Sequence, residues 1–252
     1  MINPYVTGGH RTWVKTPARA FLSAFEWHND TLNIYTHLIP GILWMYLFFT
    51  RADNEYYMPA SAAARSVITV NYFGAGLMGI TSGIAHTFSV IDSRWAAACW
   101  KLDCLGIIAV NFGHQAFDTF LLLHTWDTLY WIAFLLQAVI AVHCAIDAIT
   151  EKSGITWGLV YPAVFSTVLT LPNAAISYAV GSPLEQQMAL YSVGCSAFVF
   201  VAGGVFYAGK IPERVWNPNG ALNNFNSHVW HHVCIVLSIL TAYQSIPLLH
   251  KL

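Results

Sequence analysis

The sequence predicts an all-α protein, a bundle of seven transmembrane helices, and its composition and its apolar runs lead to this fold class. Of the 252 residues, 56% are hydrophobic and only 9% are charged, whereas a soluble domain carries roughly 25% charged residues. Seven long apolar runs recur along the whole chain, each near the ~20 residues that cross a bilayer core. We therefore expect a multi-pass integral membrane protein, in the plasma membrane or the endoplasmic reticulum.

The apolar runs define the predicted elements in order, and nothing in the sequence indicates a soluble domain or an internal repeat. We predict helices over residues 32–50, 66–90, 102–124, 129–149, 157–180, 188–208 and 227–248. Pro40 indicates a kink or an early bend in the first run, and Pro162 and Pro172 indicate a bend in the fifth. Residues 1–25 are polar and basic, so we expect a cytoplasmic surface segment ahead of a membrane domain over residues 26–252.

Polar or turn-forming segments separate the runs and justify their ends. The loop RADNEYYMPASAAAR follows the first run, and the residues around Asp92, Ser93 and Arg94 follow the second. TWDT, TEKSG and GSPLEQQ follow the third, fourth and fifth runs. The longest late loop, GKIPERVWNPNGALNN, leads into the last run.

The distribution of basic residues predicts how the helices are oriented. Seven crossings put the two termini on opposite sides, and cytoplasmic loops carry the excess of Lys and Arg. With a cytoplasmic N-terminus, that side holds eight of the 11 basic residues, namely Arg11, Lys15, Arg19, Arg94, Lys101, Lys152, Lys210 and Arg214. The other side holds three, namely Arg51, Arg65 and Lys251. We therefore predict a cytoplasmic N-terminus and a C-terminus outside.

Charge and cysteine usage exclude several classes of function. The formal net charge is −1 and no basic cluster occurs, so we expect no nucleic-acid partner. The five cysteines are scattered without a C-x-x-C pair. We therefore expect neither a disulfide framework nor a metal site made of thiolates.

Histidines at the start of the last run are the strongest candidates for chemistry. His228 and His232 are four residues apart, and residues at this spacing share a helix face about one turn apart. Two imidazoles so placed can hold one metal ion. His231 shares that face as well, so spacing alone does not choose between it and His232. The simpler alternative is that these residues are interfacial aromatics that anchor a membrane helix.

The predicted topology brings a third ligand to the same membrane face, because the second helix ends near His86 where the third and seventh helices start. We predict that His86, His228 and His232 hold Zn²⁺ with a fourth position left to water, the pattern of catalytic zinc sites. Such an ion lowers the pKa of its water toward neutrality. Asp103 is the candidate general base. Ser82, which shares a face with His86, is the candidate hydrogen-bond partner of the substrate carbonyl or of the water.

Each assignment has a simpler structural alternative. Asp103 can be a helix N-terminal carboxylate that the helix dipole favours, paired with Lys101, and Ser82 can hydrogen-bond back to its own helix. His28 and His37 flank the start of the first helix, where capping or packing explains them. The remaining candidates are expected to be hydrogen-bonded within the bundle or at an interface: His114, His124 and His143.

Several segments resemble the progestin and adipoQ receptor family, the adiponectin-receptor group. FEWHNDTLNIYTHLIPG resembles the start of its first helix, and SGIAHTF followed by KLDCLGI resembles its second-to-third helix motif. IPERVWNPNG followed by SHVWHH resembles the approach to its last helix. These motifs span positions 25 to 232 in the right order and are specific in combination. The departures are Cys104 where tyrosine often follows the aspartate, Val229 where glutamine often follows the histidine, and the extra His231.

The resemblance implies a seven-helix membrane protein, N-terminus in, that binds Zn²⁺ through three histidines. His86 matches the histidine of the second helix, and His228 and His232 match the H-x-x-x-H of the last. Asp103 matches the aspartate after KL, and Ser82 matches a serine near the site. The wider superfamily, with alkaline ceramidases and hemolysin III-like proteins, implies hydrolysis of a lipid amide such as ceramide.

The function expected from the sequence is therefore a zinc-containing membrane receptor with lipid-amide hydrolase chemistry, linked to lipid metabolism and signalling. Its expected partners are a membrane lipid, ceramide or fatty acid, and an extracellular protein ligand. The alternative is a receptor or zinc-homeostasis protein in which zinc is structural and no hydrolysis occurs. Transport of metal or protons is a third hypothesis, with the polar stripe of the third helix, formed by Asp103, Asn111, His114 and Asp118, as the path. It is disfavoured because the fifth and sixth runs carry no Asp, Glu, Lys, Arg or His in their interiors.

Overall fold

The computed structural model describes residues 3–51, 57–59, 61–150 and 157–252, and no β-strand occurs in these ranges. The all-α prediction is thus confirmed for the described chain. Parts of two predicted loops lie outside the described residues. These parts are residues 52–56 and residue 60 of the first loop, and residues 151–156, which include most of TEKSG and the counted Lys152.

The helices follow the predicted runs closely. Within the described ranges they are α1 Pro17–Ser23, α2 Thr31–Arg51, α3 Ala62–Phe88, α4 Ser93–Leu123, α5 Asp127–Thr150, α6 Trp157–Val180, α7 Pro183–Val201, α8 Ser227–Gln244 and α9 Ile246–Leu249. A π-helical turn, Ala202–Ala208, continues α7, and a 3₁₀ turn, Pro218–Gly220, lies in the late loop. Pro40 lies inside α2, which continues without a break to Arg51.

Among the described residues, six helical segments are long and apolar enough to cross a membrane by length and composition. They are Thr31–Arg51, Ala62–Phe88, Ser93–Leu123, Thr128–Thr150, Pro183–Ala208 and Ser227–Leu249. This confirms an integral multi-pass membrane protein. The fifth predicted run forms α6, which has 24 residues. The side chains of residues 157–167 lie outside the described part, and the count of seven crossings stays a prediction.

The start of α4 differs from the prediction. The helix begins at Ser93 rather than at Leu102, because Asp92 caps it by accepting hydrogen bonds from the backbone N–H groups of Arg94 (2.8 Å) and Trp95 (2.9 Å). The polar residues after Asp92, for which the sequence predicts a connecting loop, therefore form the first turns of α4. Asp103 consequently lies in the third turn of α4 rather than at its N-terminus, which excludes the helix-dipole explanation of that carboxylate.

Glycines let α2, α3 and α4 pack at short range. A Cβ atom added to Gly79 of α3 would lie 2.5 Å from the carbonyl oxygen of His37, and one added to Gly41 of α2 would lie 2.7 Å from the Gly79 Cα. A Cβ atom on Gly106 of α4 would lie 2.9 Å from the Met78 Cα. Small residues permit such approach between membrane helices. α8 packs against α2, α4 and α7, and its first turn meets the last turn of α3 where His228 lies 3.2 Å from His86.

The N-terminal segment packs on this same end of the bundle. The Arg11 guanidinium is buried and donates hydrogen bonds to the carbonyl oxygens of His86 (2.6 Å) and Thr87 (3.2 Å). Further bonds tie the segment to the loop before α8: Asn3 Nδ2 to Glu213 Oε1 (2.7 Å), Thr7 N to Asn223 Oδ1 (3.0 Å) and Asn217 Nδ2 to the Tyr5 carbonyl (2.7 Å). Residues 3–11 therefore join the start of the chain to the start of the last long helix.

Candidate metal centre

Three of the predicted histidines converge at this end of the bundle. His86 comes from the last turn of α3, and His228 and His232 come from the first two turns of α8. The Nε2 atoms of His86 and His228 are 3.2 Å apart, and one ligand atom from each of the three residues lies within 4.8 Å of the others. In a tetrahedral site with bonds of about 2.0–2.1 Å, ligand nitrogens are about 3.3 Å apart. Small side-chain rotations therefore suffice to hold one ion.

The fold distinguishes His232 from His231, which spacing alone does not. His232 is buried, and its ring centroid lies 5.1 Å from that of His86. The His231 ring instead has its Nδ1 atom 3.1 Å from the Ala202 carbonyl oxygen of the π-helical turn. Its ring centroid lies 5.3 Å from that of Tyr207. The convergent group therefore contains His232, while His231 faces the π-helical turn after α7.

The start of α8 is fixed by two polar side chains. Asn226 caps the helix by accepting a hydrogen bond from the backbone N–H of His228 (3.0 Å). Glu213 is buried, and its Oε2 atom accepts from the backbone N–H of Ser227 (2.7 Å). A charged acceptor at a helix N-terminus is stabilised by the local dipole. These contacts position the turn that carries His228.

Outer partners hold the second nitrogen of two of the histidines. Asp30 Oδ1 lies 3.5 Å from His86 Nδ1, and Thr36 Oγ1 lies 3.0 Å from His232 Nδ1. The His37 ring stacks on the His232 ring with centroids 3.5 Å apart. Histidines that bind a metal almost always hydrogen-bond through the other ring nitrogen. The Nε2 atoms of His86 and His232 are thus the ones left to face a shared ion.

Asp30 is itself held in an ionised state ahead of α2. Burial alone would raise its pKa, but the hydrogen bond and charge of His86, the Asn33 amide and the charge of Arg11 together lower the pKa below its ordinary value. Asn33 Nδ2 donates to Asp30 Oδ1 (3.0 Å), and Arg11 lies 3.6 Å from Asp30 Oδ2. A charged carboxylate therefore orients His86 from outside.

Asp103 and Ser82 lie on the His86 side of the candidate site. Ser82 is buried on α3, and its hydroxyl interacts with the Asp103 carboxylate, which also senses the charge of His86. Thr81 and Thr87 hydrogen-bond back to carbonyls of α3, whereas the described contact of Ser82 is with Asp103.

One carboxylate oxygen at this position has no partner. The Oδ1 atom of Asp103 is buried and makes no hydrogen bond within the described chain. A buried polar atom without a partner is costly, by about 1–3 kcal/mol, and such atoms are rare in native proteins. The three imidazole nitrogens form a donor set that fits Zn²⁺, and Asp103, which interacts with the charge of His86, could accept a hydrogen bond from a water molecule on that ion. Zinc binding itself stays a prediction.

Comparison with known proteins identifies the family. The profile described as haemolysin-III related matches residues 25–243, which covers most of the chain. The chain belongs to the haemolysin-III related family. The matched range begins before α2 and ends in α8, so it includes all of the residues that converge at the candidate metal centre.

Individual relatives confirm the resemblance to the progestin and adipoQ receptor family. Progestin and adipoQ receptor family member 3 of Homo sapiens is 26% identical over 93% of this chain and 78% of its own length. Heptahelical transmembrane protein 1 of Arabidopsis thaliana is 25% identical over 90% of this chain and 71% of its own length. ADIPOR-like receptor IZH2 of Saccharomyces cerevisiae is 21% identical over 94% of this chain and 77% of its own length.

The site of this haemolysin-III related protein also contains residues that sequence reasoning missed. Tyr207 lies on the π-helical turn with its ring centroid 6.3 Å from that of His228, and Lys210 Nζ lies 4.6 Å from the Tyr207 ring. Burial lowers the pKa of Lys210, and the charge of Glu213 opposes that shift. π-helical turns occur frequently at functional sites, but no spacing in the segment AGGVFYA that forms this turn indicates one.

The partners of the histidines were missed for a different reason. Asp30 directly precedes the first helix in the segment FEWHND. The Thr36 hydroxyl donates to the Leu32 carbonyl (2.7 Å), and its oxygen lies 3.0 Å from His232 Nδ1, where it can accept a hydrogen bond from the ring. A cluster of His, Asn and Asp ahead of an apolar run is a signal that points to Asp30. Arg11 has no such signal, because its contacts arise only when the N-terminal segment folds back on the bundle.

Proposed function

We propose that this protein is a zinc-binding membrane receptor of the progestin and adipoQ receptor type with lipid-amide hydrolase activity at the histidine site. The single observation that carries the proposal is the convergence of ligand atoms from His86, His228 and His232 within 4.8 Å of one another. Its proposed partners are a membrane lipid, ceramide or fatty acid, and an extracellular protein ligand. The family supports the receptor part, since relatives of this chain are named as receptors.

The proposal includes seven crossings with a cytoplasmic N-terminus. α6 has 24 residues, which exceeds the ~20 that span a bilayer core, and it supplies the seventh crossing. The name of the Arabidopsis relative, a heptahelical transmembrane protein, supports this count. The excess of basic residues on the side of Arg11, Arg19 and Lys210 supports an N-terminus in the cytoplasm. The histidine site then opens to that side.

The metal ligands are His86, His228 and His232, each through Nε2. Zn²⁺ at such a site supplies a Lewis acid and lowers the pKa of a water molecule toward neutrality. Asp30 and Thr36 hold the opposite nitrogens of His86 and His232, so the ligands are oriented before an ion enters.

The reaction assigned to the remaining residues is hydrolysis of a lipid amide. Asp103 Oδ1 accepts a proton from water as the water oxygen bonds to the amide carbon. The same carboxyl then gives the proton to the leaving nitrogen while the C–N bond breaks, which yields a fatty acid and an amine. Ser82 donates a hydrogen bond to Asp103 or to the carbonyl oxygen of the substrate.

The position of the site suits a lipid amide. His86 lies one turn from the end of α3, and His228 lies one residue after the start of α8. Ends of membrane helices lie at the level of the lipid headgroups, where the amide of a ceramide lies. α1 is at the same end and exposes Phe21, Phe25 and Trp27 nearby, side chains that suit the membrane interface.

The test measures bound zinc and ceramide turnover on the purified full chain in detergent. We expect His86→Gln to lose one zinc per chain relative to the native protein, and Asp103→Asn to keep zinc but lose turnover at least about a hundredfold. His124→Gln, on the far end of α4, is the matched control and should change neither. Full zinc retention by His86→Gln would contradict the site.

The alternative function is a receptor or zinc-homeostasis protein in which zinc is structural. The observation that favours it is that the ion would join α3 to α8, two helices that are distant in sequence. This alternative predicts zinc in the native protein with no turnover of ceramide, and a loss of thermal stability when the metal is chelated.

A further inference from the structure

A second group of metal-ligating side chains lies deeper in the bundle. His114 and Asp118 of α4 and Cys195 of α7 each offer a ligand atom within 4.8 Å of the others. The Nε2 atom of His114 is 3.9 Å from Asp118 Oδ2. All three residues are buried, with Asp118 1% exposed and Cys195 fully enclosed.

This group is separate from the histidine site. Ser238 of α8 contacts His114 at 3.2 Å, and it follows His228 by ten residues. Ser238 follows His232, the nearest member of the histidine site on α8, by six residues, which is about 9 Å along the helix at a rise of about 1.5 Å per residue. No residue is shared between them, so each can be tested while the other is intact.

The Asp118 carboxylate is only weakly satisfied in this group. Both of its oxygens are buried and make no hydrogen bond of ordinary geometry within the described chain, and its contacts are His114 Nε2 at 3.9 Å and the nearby Ser192 hydroxyl. An ionised carboxylate inside a membrane bundle is costly unless a proton or a cation neutralises it. The second nitrogen of His114 is unpartnered as well. The group therefore contains buried oxygen and nitrogen atoms that make no hydrogen bond within the described chain and could bind a cation.

The surrounding hydrogen bonds hold the ligands without satisfying the carboxylate. Ser238 Oγ donates to the Cys195 carbonyl (3.0 Å), so its oxygen accepts from His114 Nε2. The Cys195 thiol donates to the Ser238 carbonyl (3.4 Å). α4, α7 and α8 thus meet at buried polar residues, among them Asp118, His114 and Cys195.

We propose that His114, Asp118 and Cys195 form a second metal site for a borderline-soft dication of the Zn²⁺ class. Thiolate and imidazole ligands favour such ions over Mg²⁺ or Ca²⁺. Binding releases the thiol proton of Cys195 to water. The thiolate and carboxylate then neutralise the two positive charges, and the complex is neutral inside the bundle. The Ser238 hydroxyl or a water completes four-fold coordination.

The distances are compatible with this assignment. Zinc bonds of about 2.0–2.3 Å place tetrahedral ligand atoms about 3.3–3.8 Å apart. The separation of 3.9 Å between His114 Nε2 and Asp118 Oδ2 is already close to that range. Nε2 binds the ion when its proton moves to the unpartnered Nδ1 atom and its hydrogen bond to Ser238 is released. Cys195 has to move by about 1 Å, which a rotation about its side-chain torsion supplies. The bound ion would tie α4 to α7, and neither its binding nor its test depends on hydrolysis at the histidine site.

The experiment is a Co²⁺ titration of the purified, metal-free full chain in detergent. Thiolate bound to Co²⁺ gives a sulfur-to-metal charge-transfer absorption in the near ultraviolet, and the three-histidine site contains no sulfur. We expect this band to saturate at about one Co²⁺ per chain. It should disappear in Cys195→Ser and in His114→Gln, and remain in the control variants Cys234→Ser and His232→Gln.

Two outcomes overturn the proposal: no band at excess Co²⁺, or a band that persists in Cys195→Ser. Helix content by circular dichroism and elution as a single species in detergent show that each variant folds. If Cys195→Ser does not fold, X-ray absorption at the zinc edge of the native protein decides. A zinc–sulfur distance of about 2.3 Å supports the site, and its absence with bound zinc excludes it.

Discussion

Asp30 lies 3.5 Å from the Nδ1 atom of His86, on the opposite ring nitrogen from the one that faces His228. The carboxylate is anchored in turn by Asn33 and Arg11. Asp30, just ahead of the first membrane helix, therefore sets the orientation of His86, the candidate metal ligand at the end of α3. Such outer partners determine how well a metal site is prepared for its ion.

Replacing Asp30 tests this orientation directly. We expect Asp30→Asn to weaken zinc binding by about 10–100-fold, because the amide no longer provides a charged acceptor for the His86 ring. The measurement is competition with a chelator of known affinity on the purified full chain. Asp92→Asn changes a carboxylate that caps α4 away from the site, and it should leave the zinc affinity unchanged. Equal affinities in both variants would contradict the role of Asp30.

The adjacent pair His231 and His232 provides a matched comparison on one helix. We expect His232→Gln to lose one zinc per chain, because its ring belongs to the convergent group. His231→Gln should keep that zinc, since the His231 ring faces the Ala202 carbonyl. Metal content by mass spectrometry distinguishes the two. The reverse pattern would assign the ligand to His231 and require a different rotation of α8.

The pH dependence of stability should contain a contribution from His28. Burial and the charge of Arg11 lower the pKa of His28 to about 4, against the opposing effects of Asp30, the Ser23 carbonyl and Glu26. The geometry gives the reason, because Nε2 donates to the Ser23 carbonyl (3.0 Å) while Nδ1 accepts from the backbone N–H of Asp30 (3.1 Å). A proton on Nδ1 would displace that second bond.

The sign follows from the direction of the shift. The folded state disfavours the charged ring, so this contribution is complete above the ordinary pKa of 6.5 and is lost as the pH falls from 6.5 toward about 4. A single group contributes at most about 1.4 kcal/mol per pH unit. We expect His28→Gln to flatten the decline of the thermal midpoint between pH 6.5 and 4. Parallel curves for the native protein and the variant would exclude His28 as the source.

The close contact of α2 with α3 gives a stability prediction. Gly79→Ala places a methyl group against the carbonyl of His37 and the backbone of Gly41, neither of which can move as a flexible side chain does. We expect a loss of about 1–3 kcal/mol, as for other overpacked contacts, seen as a lower thermal midpoint in detergent. Gly203→Ala is the control, because nothing lies within 4 Å of its added Cβ. An unchanged midpoint in Gly79→Ala would mean that the helices can separate at little cost.

The positions and lengths of the apolar runs in the sequence predict most of the fold. The predicted runs and the observed helices coincide within a few residues, except at Ser93, where a cap and polar first turns precede the apolar part of α4. Sequence patterns locate the apolar stretch that enters the bilayer. The full helix depends on capping bonds such as those of Asp92, which a hydropathy pattern does not detect.

The candidate site is predictable only in part. The spacing of His228 and His232 and the placement of His86 at the same end follow from helix geometry. The choice between His231 and His232 depends on what packs on each side of α8, and it needs the fold. The sequence does not predict a metal site at Cys195, because no second cysteine lies near it in sequence. The residues that lie close to Cys195 in space, His114 and Asp118, come from α4.

The bonds between residues 3–11 and the loop before α8 have a consequence for biosynthesis. His86 and His228 are separated by 142 positions in the sequence. Asn3 and Glu213, which are hydrogen-bonded, are separated by 210 positions. During translation, the first helices enter the membrane long before the ligands of α8 leave the ribosome. Residues 3–11 can therefore form these bonds only after the loop before α8 has been synthesised. The three histidines can therefore converge only after α8 has been synthesised, and a chain that ends in α7 has His86 without His228 and His232.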